Sequence, residues 1–214
     1  MAHIGLDLDN TLVDYEPVFA PVAVAMGLLP ADLSHLSKID VRTHLRGLPD
    51  GETLWMRLQG QVYGRHLPRA RLYDGVADFL TAMKARGARI SIVSHKTRYG
   101  HFDPDQVNLW DAMMQWLENQ GFFRPTRFAM DRSQVFFEET REAKLARIAA
   151  LEIDLFIDDL PEVLLDPAFP ARTQALWFAD GQPQDAGEGL PFGKDWAQLT
   201  EVVETRLFKR AEGL

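Results

Sequence analysis

Short apolar runs alternate with longer amphipathic stretches along this chain of 214 residues. The runs are strand-sized and rich in β-branched or aromatic residues, which predicts β-strands. They occupy residues 4–9, 89–94, 134–139, 154–159 and, more weakly, 174–180. Because helical patterns separate these runs, we expect an α/β fold, a doubly wound parallel sheet with helices on both faces.

The stretches between the runs carry apolar residues at helical spacing. This spacing predicts helices over residues 75–87, 107–121, 140–151 and 196–211. The first two stretches end in glycine, which commonly stops a helix. Residues 181–195 are polar and rich in Gly and Pro, so we expect a loop there.

The connection after the first strand is too long for a simple crossover. No strand pattern occurs between about residue 16 and residue 71, where two helical patterns stand instead, "PVFAPVAVAMGLL" and "ETLWMRLQGQVYG". About 55 residues exceed the usual length of a connecting segment in such a fold. We therefore expect a helical cap subdomain at 16–71, inserted into a core domain formed by residues 1–15 and 72–214.

Composition and charge narrow the range of functions. The net charge is −8, which argues against binding to a nucleic-acid polymer, because that binding relies on neutralising phosphates. The chain has no cysteine, so disulfides, thiolate metal sites and cysteine nucleophiles are excluded. The first apolar run begins at Ile4, which leaves no room for a signal peptide, and no stretch reaches the ~18 apolar residues of a membrane span. We expect a soluble cytoplasmic protein with no membrane partner.

Acidic and hydroxyl side chains stand where the predicted strands end. Asp7 and Asp9 close the first strand, Ser94 closes the second, and Asp158 and Asp159 close the fourth. The carboxyl ends of parallel strands meet at one edge of the sheet, where open α/β folds bind ligands. Carboxylates gathered there repel one another, and a hard divalent cation relieves that repulsion. The sequence therefore predicts a Mg²⁺ site at this edge.

Several of these segments resemble the signatures of the haloacid dehalogenase (HAD) superfamily. "DLDNTL" resembles the first signature, Asp-x-Asp-x-Thr after a hydrophobic strand. "ISIVSHK" is similar to the second signature and "LFIDDLPEVL" to the acidic fourth one, and Lys144 stands where the family has its lysine. The resemblance covers roughly residues 3–180. It implies a Rossmann-like core, a small helical cap, and Mg²⁺-dependent hydrolysis of a small phosphorylated metabolite.

The resemblance also implies which residues react and which hold the metal. Asp7 would be the nucleophile and form an aspartyl phosphate. Asp9 would protonate the leaving oxygen and then activate water. Asp158 and Asp159 would hold Mg²⁺ together with the Asp7 side chain and the Asp9 carbonyl. Of this acidic pair, we expect Asp159 to be the direct ligand and Asp158 to act from outside the coordination sphere.

A second set of residues would contact the substrate. Thr11 would support the loop geometry, Ser94 would donate a hydrogen bond to the phosphoryl oxygens, and Lys144 would neutralise charge on the nucleophile and the phosphoryl group. His95 stands where many relatives carry Asn, and Lys144 is followed by Leu in place of the common Pro. His95 and Lys96 lie in a polar segment and are expected to contact the substrate, with Lys96 as the alternative phosphate partner.

The same motifs are also compatible with other functions. A phosphomutase also forms an aspartyl phosphate but passes the phosphoryl group to a sugar. A non-catalytic protein would use the fold to bind a ligand or partner, although no acidic position of the motifs is lost here. A dehalogenase is disfavoured, because the branch that names the family lacks a carboxylate where Asp9 stands.

Overall fold

The computed structural model describes residues 1–180 and 189–208. Its strands are β1 (His3–Leu6), β2 (Val13–Asp14), β3 (Arg71–Leu72), β4 (Arg89–His95), β5 (Val135–Glu138), β6 (Leu155–Asp158), β7 (Gln174–Phe178) and β8 (Phe192–Gly193). Its helices are α1 (Glu16–Ala25), α2 (Lys38–Arg46), α3 (Gly51–Tyr63), α4 (Val76–Ala85), α5 (Leu109–Asn119), α6 (Arg141–Ala150), α7 (Pro161–Leu164) and α8 (Trp196–Leu207). No helix in these residues is long and apolar enough to cross a membrane.

Six strands form one sheet in the order β5-β4-β1-β6-β7-β8, and every neighbouring pair is parallel. β1 lies between β4 and β6, with Leu6 in register with Ile92 on one side and Ile157 on the other. The strand that carries the first motif is therefore flanked by the strands that carry the second and the fourth.

Helices cover both faces of this sheet. Trp177 of β7 belongs to a core cluster with residues of α6 and α7. The next residue, Phe178, lies 5.8 Å from the ring of Trp196 in α8, which in turn packs on Phe79 of α4. Because successive residues of a strand point to opposite faces, α6 and α7 cover one face and α4 and α8 the other. The predicted doubly wound α/β fold is confirmed.

Some elements differ from the prediction. The sequence patterns do not predict α2, because its sequence "KIDVRTHLR" is mostly polar and buries only Val41 and Leu45. The two-residue strand β8 lies within the predicted loop at 181–195, and residues 181–188 of that loop lie outside the described residues. The last predicted helix ends at Leu207, and its expected final residues 209–211 also lie outside them.

The chain divides into two compact units. The first unit comprises Met1–Leu12, Leu72–His95 and Phe122–Leu214 and contains the six-stranded sheet. The second unit comprises Val13–Arg71 and Lys96–Gly121. The cap subdomain expected at 16–71 stays a prediction. The second unit covers that segment and also includes residues 96–121. The helical pattern of α5 in this added stretch does not indicate to which unit the helix belongs.

Aromatic side chains build the interior of the second unit. Phe19 of α1 stacks on Trp55 of α3 with ring centroids 5.1 Å apart, and Tyr63 meets both Phe19 and Tyr15 edge-on. The buried indole of Trp116 donates to the carbonyl of Ala70 at 3.3 Å. The amphipathic spacing of α3 and α5 therefore reflects core packing within this unit.

Candidate active site

Asp7 is fixed just beyond the end of β1. Its backbone N–H donates to the carbonyl of Ile157 in β6 at 2.8 Å, although β1 itself ends at Leu6. Asn10 then adopts a left-handed conformation, with φ of 61°, which asparagine tolerates better than most residues. In the loop that this residue shapes, the Thr11 hydroxyl lies 3.2 Å from Asp7 Oδ2.

Thr11 also connects this loop to the acidic pair after β6. Its hydroxyl lies 3.2 Å from Asp159 Oδ1 and accepts a hydrogen bond from the backbone N–H of Asp159 at 3.1 Å. Asp158, the last residue of β6, accepts from the backbone N–H of Leu160 through Oδ1 at 2.9 Å. The first motif and the fourth motif therefore meet through the side chain of one threonine.

Lys144 lies between two of the carboxylates. It occupies the first turn of α6, a helix capped by the Thr140 side chain, which accepts from the N–H of Ala143. The Nζ atom of Lys144 donates to Asp7 Oδ1 and to Asp158 Oδ2, each at 2.6 Å. The lysine is 1% exposed, so one buried cation is shared by two buried carboxylates.

The acidic residues form a compact group of oxygen donors. Asp7, Asp158 and Asp159 each offer a carboxylate oxygen, and these oxygens lie within 4.8 Å of one another. All three residues are buried, whereas Asp9 is half-buried. A donor set made only of oxygens suits a hard cation such as Mg²⁺. The residues present therefore fit the metal that the sequence predicts.

The charges within this group are not balanced. Burial raises the pKa of Asp7 to about 7, because desolvation disfavours the ionised form, while Lys144 opposes the rise and Asp158 adds to it. Burial alone would lower the pKa of Lys144, but the charges of Asp158 and Asp7 outweigh it and raise that pKa. The ammonium of Lys144 is thus firmly held, and further positive charge would stabilise the ionised carboxylates.

Ser94 adds a buried hydroxyl at the same edge of the sheet. β4 runs parallel to β1 with Ile92 opposite Leu6, so Ser94 lies one strand away from the segment that follows Asp7. It is 1% exposed, and its Oγ has no hydrogen-bond partner among the described residues. Buried hydroxyls are normally paired, so this hydroxyl is a candidate donor to a bound oxyanion.

The other two residues expected to bind substrate are placed differently. His95 is exposed, and its Nε2 lies 3.1 Å from the carbonyl of Glu139. Lys96 belongs to the second unit, where it is 4% exposed and its Nζ lies 5.0 Å from the ring centroid of Tyr63. Within the first unit the structure brings Thr11, Ser94 and Lys144 to the acidic edge of the sheet.

Two tryptophans that the motifs do not include contact the backbone of this site. Trp177 Nε1 donates to the carbonyl of Asp159 at 3.2 Å, and Trp196 Nε1 donates to the carbonyl of Thr11 at 3.1 Å. Both side chains are fully buried. The sequence gives no signal for these contacts, because an apolar run or a helix start containing Trp predicts only a core position.

Comparison with known proteins gives likenesses to solved structures only. Neither a family model nor a curated protein matches the sequence. A predicted phosphatase from Clostridium acetobutylicum is 15% identical, with a TM-score of 0.61 over 95% of this chain and 98% of that one. A predicted phosphoglycolate phosphatase from Haemophilus somnus is 19% identical, with a TM-score of 0.58 over 95% and 98%. The putative HAD-hydrolase YfnB from Bacillus subtilis, bound to magnesium, is 15% identical, with a TM-score of 0.58 over 94% and 98%.

Proposed function

Because this chain has the fold of HAD-superfamily hydrolases, we propose that it hydrolyses a small phosphomonoester with Mg²⁺ through an aspartyl phosphate on Asp7. The observation that carries the proposal is the position of Lys144 Nζ, 2.6 Å from both Asp7 and Asp158. A fold alone does not define an activity. A buried lysine between two carboxylates is weak evidence for a stabilising role, because replacement of all members of such a buried ion group by packed apolar residues is often neutral or stabilising. We therefore assign this arrangement to catalysis.

Asp7 suits the role of nucleophile because both of its oxygens are held. Oδ1 accepts from Lys144, and Oδ2 lies within reach of the Thr11 hydroxyl. A carboxylate with a fixed orientation loses little further freedom when it attacks phosphorus. The positive charge of Lys144 favours the ionised carboxylate and would also stabilise charge that develops on the phosphoryl oxygens.

We assign the direct metal contact to Asp159 and the Asp7 side chain, with the Asp9 carbonyl as a third ligand. Within the acidic pair, Asp158 is placed outside the coordination sphere because its two oxygens accept from Lys144 Nζ and from the backbone N–H of Leu160. Asp7 keeps Oδ2 for the metal, because the single Thr11 hydroxyl proton near that oxygen can turn to Asp159 Oδ1 instead. Asp158 would then hold the lysine in place from outside the coordination sphere. Mg²⁺ bound at this point supplies positive charge that stabilises the phosphoryl oxygens during transfer.

Ser94 and Asp9 complete the reaction. The buried Ser94 hydroxyl, which lacks a partner among the described residues, would donate to a phosphoryl oxygen. Asp9 follows Asp7 by two residues and is half-buried, so it can exchange protons with a bound substrate or water. It would protonate the leaving oxygen and afterwards take a proton from the attacking water. His95 and Lys96 stay predicted substrate contacts.

The proposal is tested by Mg²⁺-dependent hydrolysis of p-nitrophenyl phosphate. Wild-type protein should release phosphate with Mg²⁺ and not with EDTA, and Asp7→Asn should be inactive with an unchanged circular dichroism spectrum. The matched control is Asp78→Asn, an exposed carboxylate on α4, which should keep wild-type activity. Acid-quenched wild-type protein with ³²P-labelled substrate should carry a hydroxylamine-sensitive label that Asp7→Asn lacks.

Three outcomes would contradict this function. Substantial turnover by Asp7→Asn would exclude Asp7 as the nucleophile. Transfer of the label from one sugar phosphate position to another, without release of phosphate, would identify a phosphomutase. A folded wild-type protein that is inactive towards a broad panel of phosphorylated metabolites with Mg²⁺ would favour a non-catalytic binding protein.

A further inference from the structure

Two buried indoles, one from α8 and one from β7, bond the backbone of the acidic site. We propose that Trp196 and Trp177 are positioning residues, which fix the loops carrying Asp7 and Asp159 at the spacing that a metal ion requires. The indole N–H groups of Trp196 and Trp177 bond the carbonyls of Thr11 and Asp159, at 3.1 Å and 3.2 Å. This inference rests on the proposed function, since it concerns the same metal site.

Trp196 is itself held rigidly. It is the first residue of α8, where the Asp195 side chain caps the helix, and it is 1% exposed. Its ring packs on Phe79, with the ring centroids 4.9 Å apart. Gly75 lies so close that a Cβ atom added to this glycine would be 2.9 Å from the Cβ of Trp196. Gly75 also has a φ of +87°, so glycine is required at this approach on two grounds. The indole therefore offers its donor from a fixed position.

Trp177 is fixed by the sheet. It lies in β7, in register with Asp158 of the neighbouring strand β6, and it is 0% exposed. Its backbone N–H bonds the carbonyl of Pro191, and its ring packs near Phe192. The indole therefore reaches the Asp159 carbonyl from a strand that cannot shift without breaking the sheet.

Together the contacts form a chain of hydrogen bonds across the site. Trp196 holds the carbonyl of Thr11, the Thr11 hydroxyl accepts from the N–H of Asp159, and Trp177 holds the carbonyl of Asp159. The Asp159 backbone is thus fastened at both its N–H and its carbonyl. A buried carbonyl that loses its donor carries a desolvation cost, so removal of either indole N–H would let its loop move.

Such movement would act on metal binding more than on folding. Mg²⁺ requires near-ideal octahedral geometry, and the oxygens of Asp7, Asp158 and Asp159 lie within 4.8 Å of one another. Loss of a partner that orients a metal ligand commonly weakens metal binding by about 10-fold or more. We expect Trp196→Phe and Trp177→Phe each to weaken Mg²⁺ binding about 10-fold, since phenylalanine keeps an aromatic ring but offers no donor.

Trp116 provides the matched control. Its buried indole also donates to a backbone carbonyl, that of Ala70 at 3.3 Å, and both residues belong to the second unit. Trp116→Phe removes the same kind of hydrogen bond and a similar amount of buried ring. It should lower the melting temperature about as much as the other two substitutions and leave Mg²⁺ binding unchanged.

The experiment is calorimetric titration of Mg²⁺ into the full chain and its three variants, with kcat for p-nitrophenyl phosphate and melting temperature measured on the same samples. An increase of about 10-fold in the Mg²⁺ dissociation constant of Trp196→Phe and Trp177→Phe, but not of Trp116→Phe, supports the proposal. Equal Mg²⁺ dissociation constants in all four proteins would overturn it. So would equal weakening in all three variants, because that result indicates a general loss of stability.

A variant that fails to fold is replaced by a closer analogue. Site-specific incorporation of 3-benzothienylalanine at position 196 or 177 keeps the shape of the indole and exchanges its N–H for sulfur. Unchanged Mg²⁺ binding by that protein would refute the positioning role. Failure of the proposed function can be distinguished from failure of the positioning role, because wild-type protein itself would then show no Mg²⁺-dependent turnover. Failure of the positioning role alone leaves wild-type turnover and Mg²⁺ binding intact.

Discussion

Replacement of Lys144 by methionine tests the electrostatic core of the site. Lys144 Nζ lies 2.6 Å from Asp7 Oδ1 and from Asp158 Oδ2, and the lysine side chain is 2% exposed. Methionine preserves most of the volume and removes the charge. The carboxylates of Asp7 and Asp158 would then have no counter-ion between them. Lys144→Met therefore breaks a buried ion pair by removing one partner.

The expected cost follows from that geometry. Removal of one partner from a buried ion pair typically lowers the free energy of unfolding by about 3–5 kcal/mol. The two ion pairs share one ammonium, so their losses are coupled and are not added together. In EDTA, Lys144→Met should therefore lose about 3–5 kcal/mol of stability. The double variant Lys144→Met/Asp158→Asn should recover a large part of this lost stability. The repulsion between the carboxylates of Asp7 and Asp158 disappears, while the Oδ1 atom at position 158 can still accept from the backbone N–H of Leu160.

Urea denaturation in EDTA and in Mg²⁺ measures these differences. The loss in Lys144→Met should shrink in Mg²⁺, since a bound cation replaces part of the missing charge, while kcat should remain about 10²–10³-fold reduced. The control is Lys84→Met, an exposed lysine whose Nζ bonds the carbonyls of Pro125 and Arg127. It should change stability by less than about 1 kcal/mol. A loss that small in Lys144→Met as well would refute the reasoning.

Three further predictions concern separate parts of the molecule. Ser94→Ala should reduce kcat/KM for p-nitrophenyl phosphate about 10²-fold without lowering the melting temperature, because the buried hydroxyl has no partner among the described residues; a clear drop in melting temperature would contradict this. Burial, assisted by Arg89, lowers the pKa of His3 from 6.5, so the unfolded chain takes up this proton first and the His3 contribution to stability should be lost as the pH drops below about 6.5. The raised pKa of Asp7 acts in the opposite direction in both proteins, so urea titrations at pH 7.5 and 5.5 should give a change in unfolding free energy that is more favourable in His3→Gln than in wild type, and equal changes would exclude a contribution from His3. Gln61→Leu should cost about 1–3 kcal/mol in urea denaturation, because its amide donates to buried Asp103 at 2.6 Å; a change below about 0.5 kcal/mol would count against that bond.

The position of the acidic site could be predicted because it depends on strand direction. Asp7 and Asp158 follow apolar runs, and in a parallel sheet the ends of those runs lie at the same edge. The structure places β1 next to β6, which brings the two residues together. The family resemblance points to Lys144, and the structure places its ammonium between these carboxylates. The catalytic roles of all three stay predictions.

The division of the chain into two units could not be predicted in the same way. The helical pattern of residues 107–121 indicates α5 but carries no information about which side chains its apolar face meets. The structure groups residues 96–121 with 13–71, and the indole of Trp116 bonds the carbonyl of Ala70. Such contacts depend on the conformation of the loops before and after α5, and the local sequence pattern does not indicate that conformation.

The indole contacts show most directly what a motif omits. Trp196 is 185 residues distant from Thr11 in the chain and contacts its backbone, so the identity of residue 11 does not indicate which donor it meets. Under the proposed function the motif residues would be carboxylates, hydroxyls or a lysine because the chemistry would use those groups, and their kinds therefore stand out in the sequence. The residues that hold them need only present a donor in a rigid place, which many side chains on many elements can do. The sequence therefore indicates the kinds of side chain at this edge of the sheet, whereas the indole contacts from β7 and α8 are seen only in the folded chain.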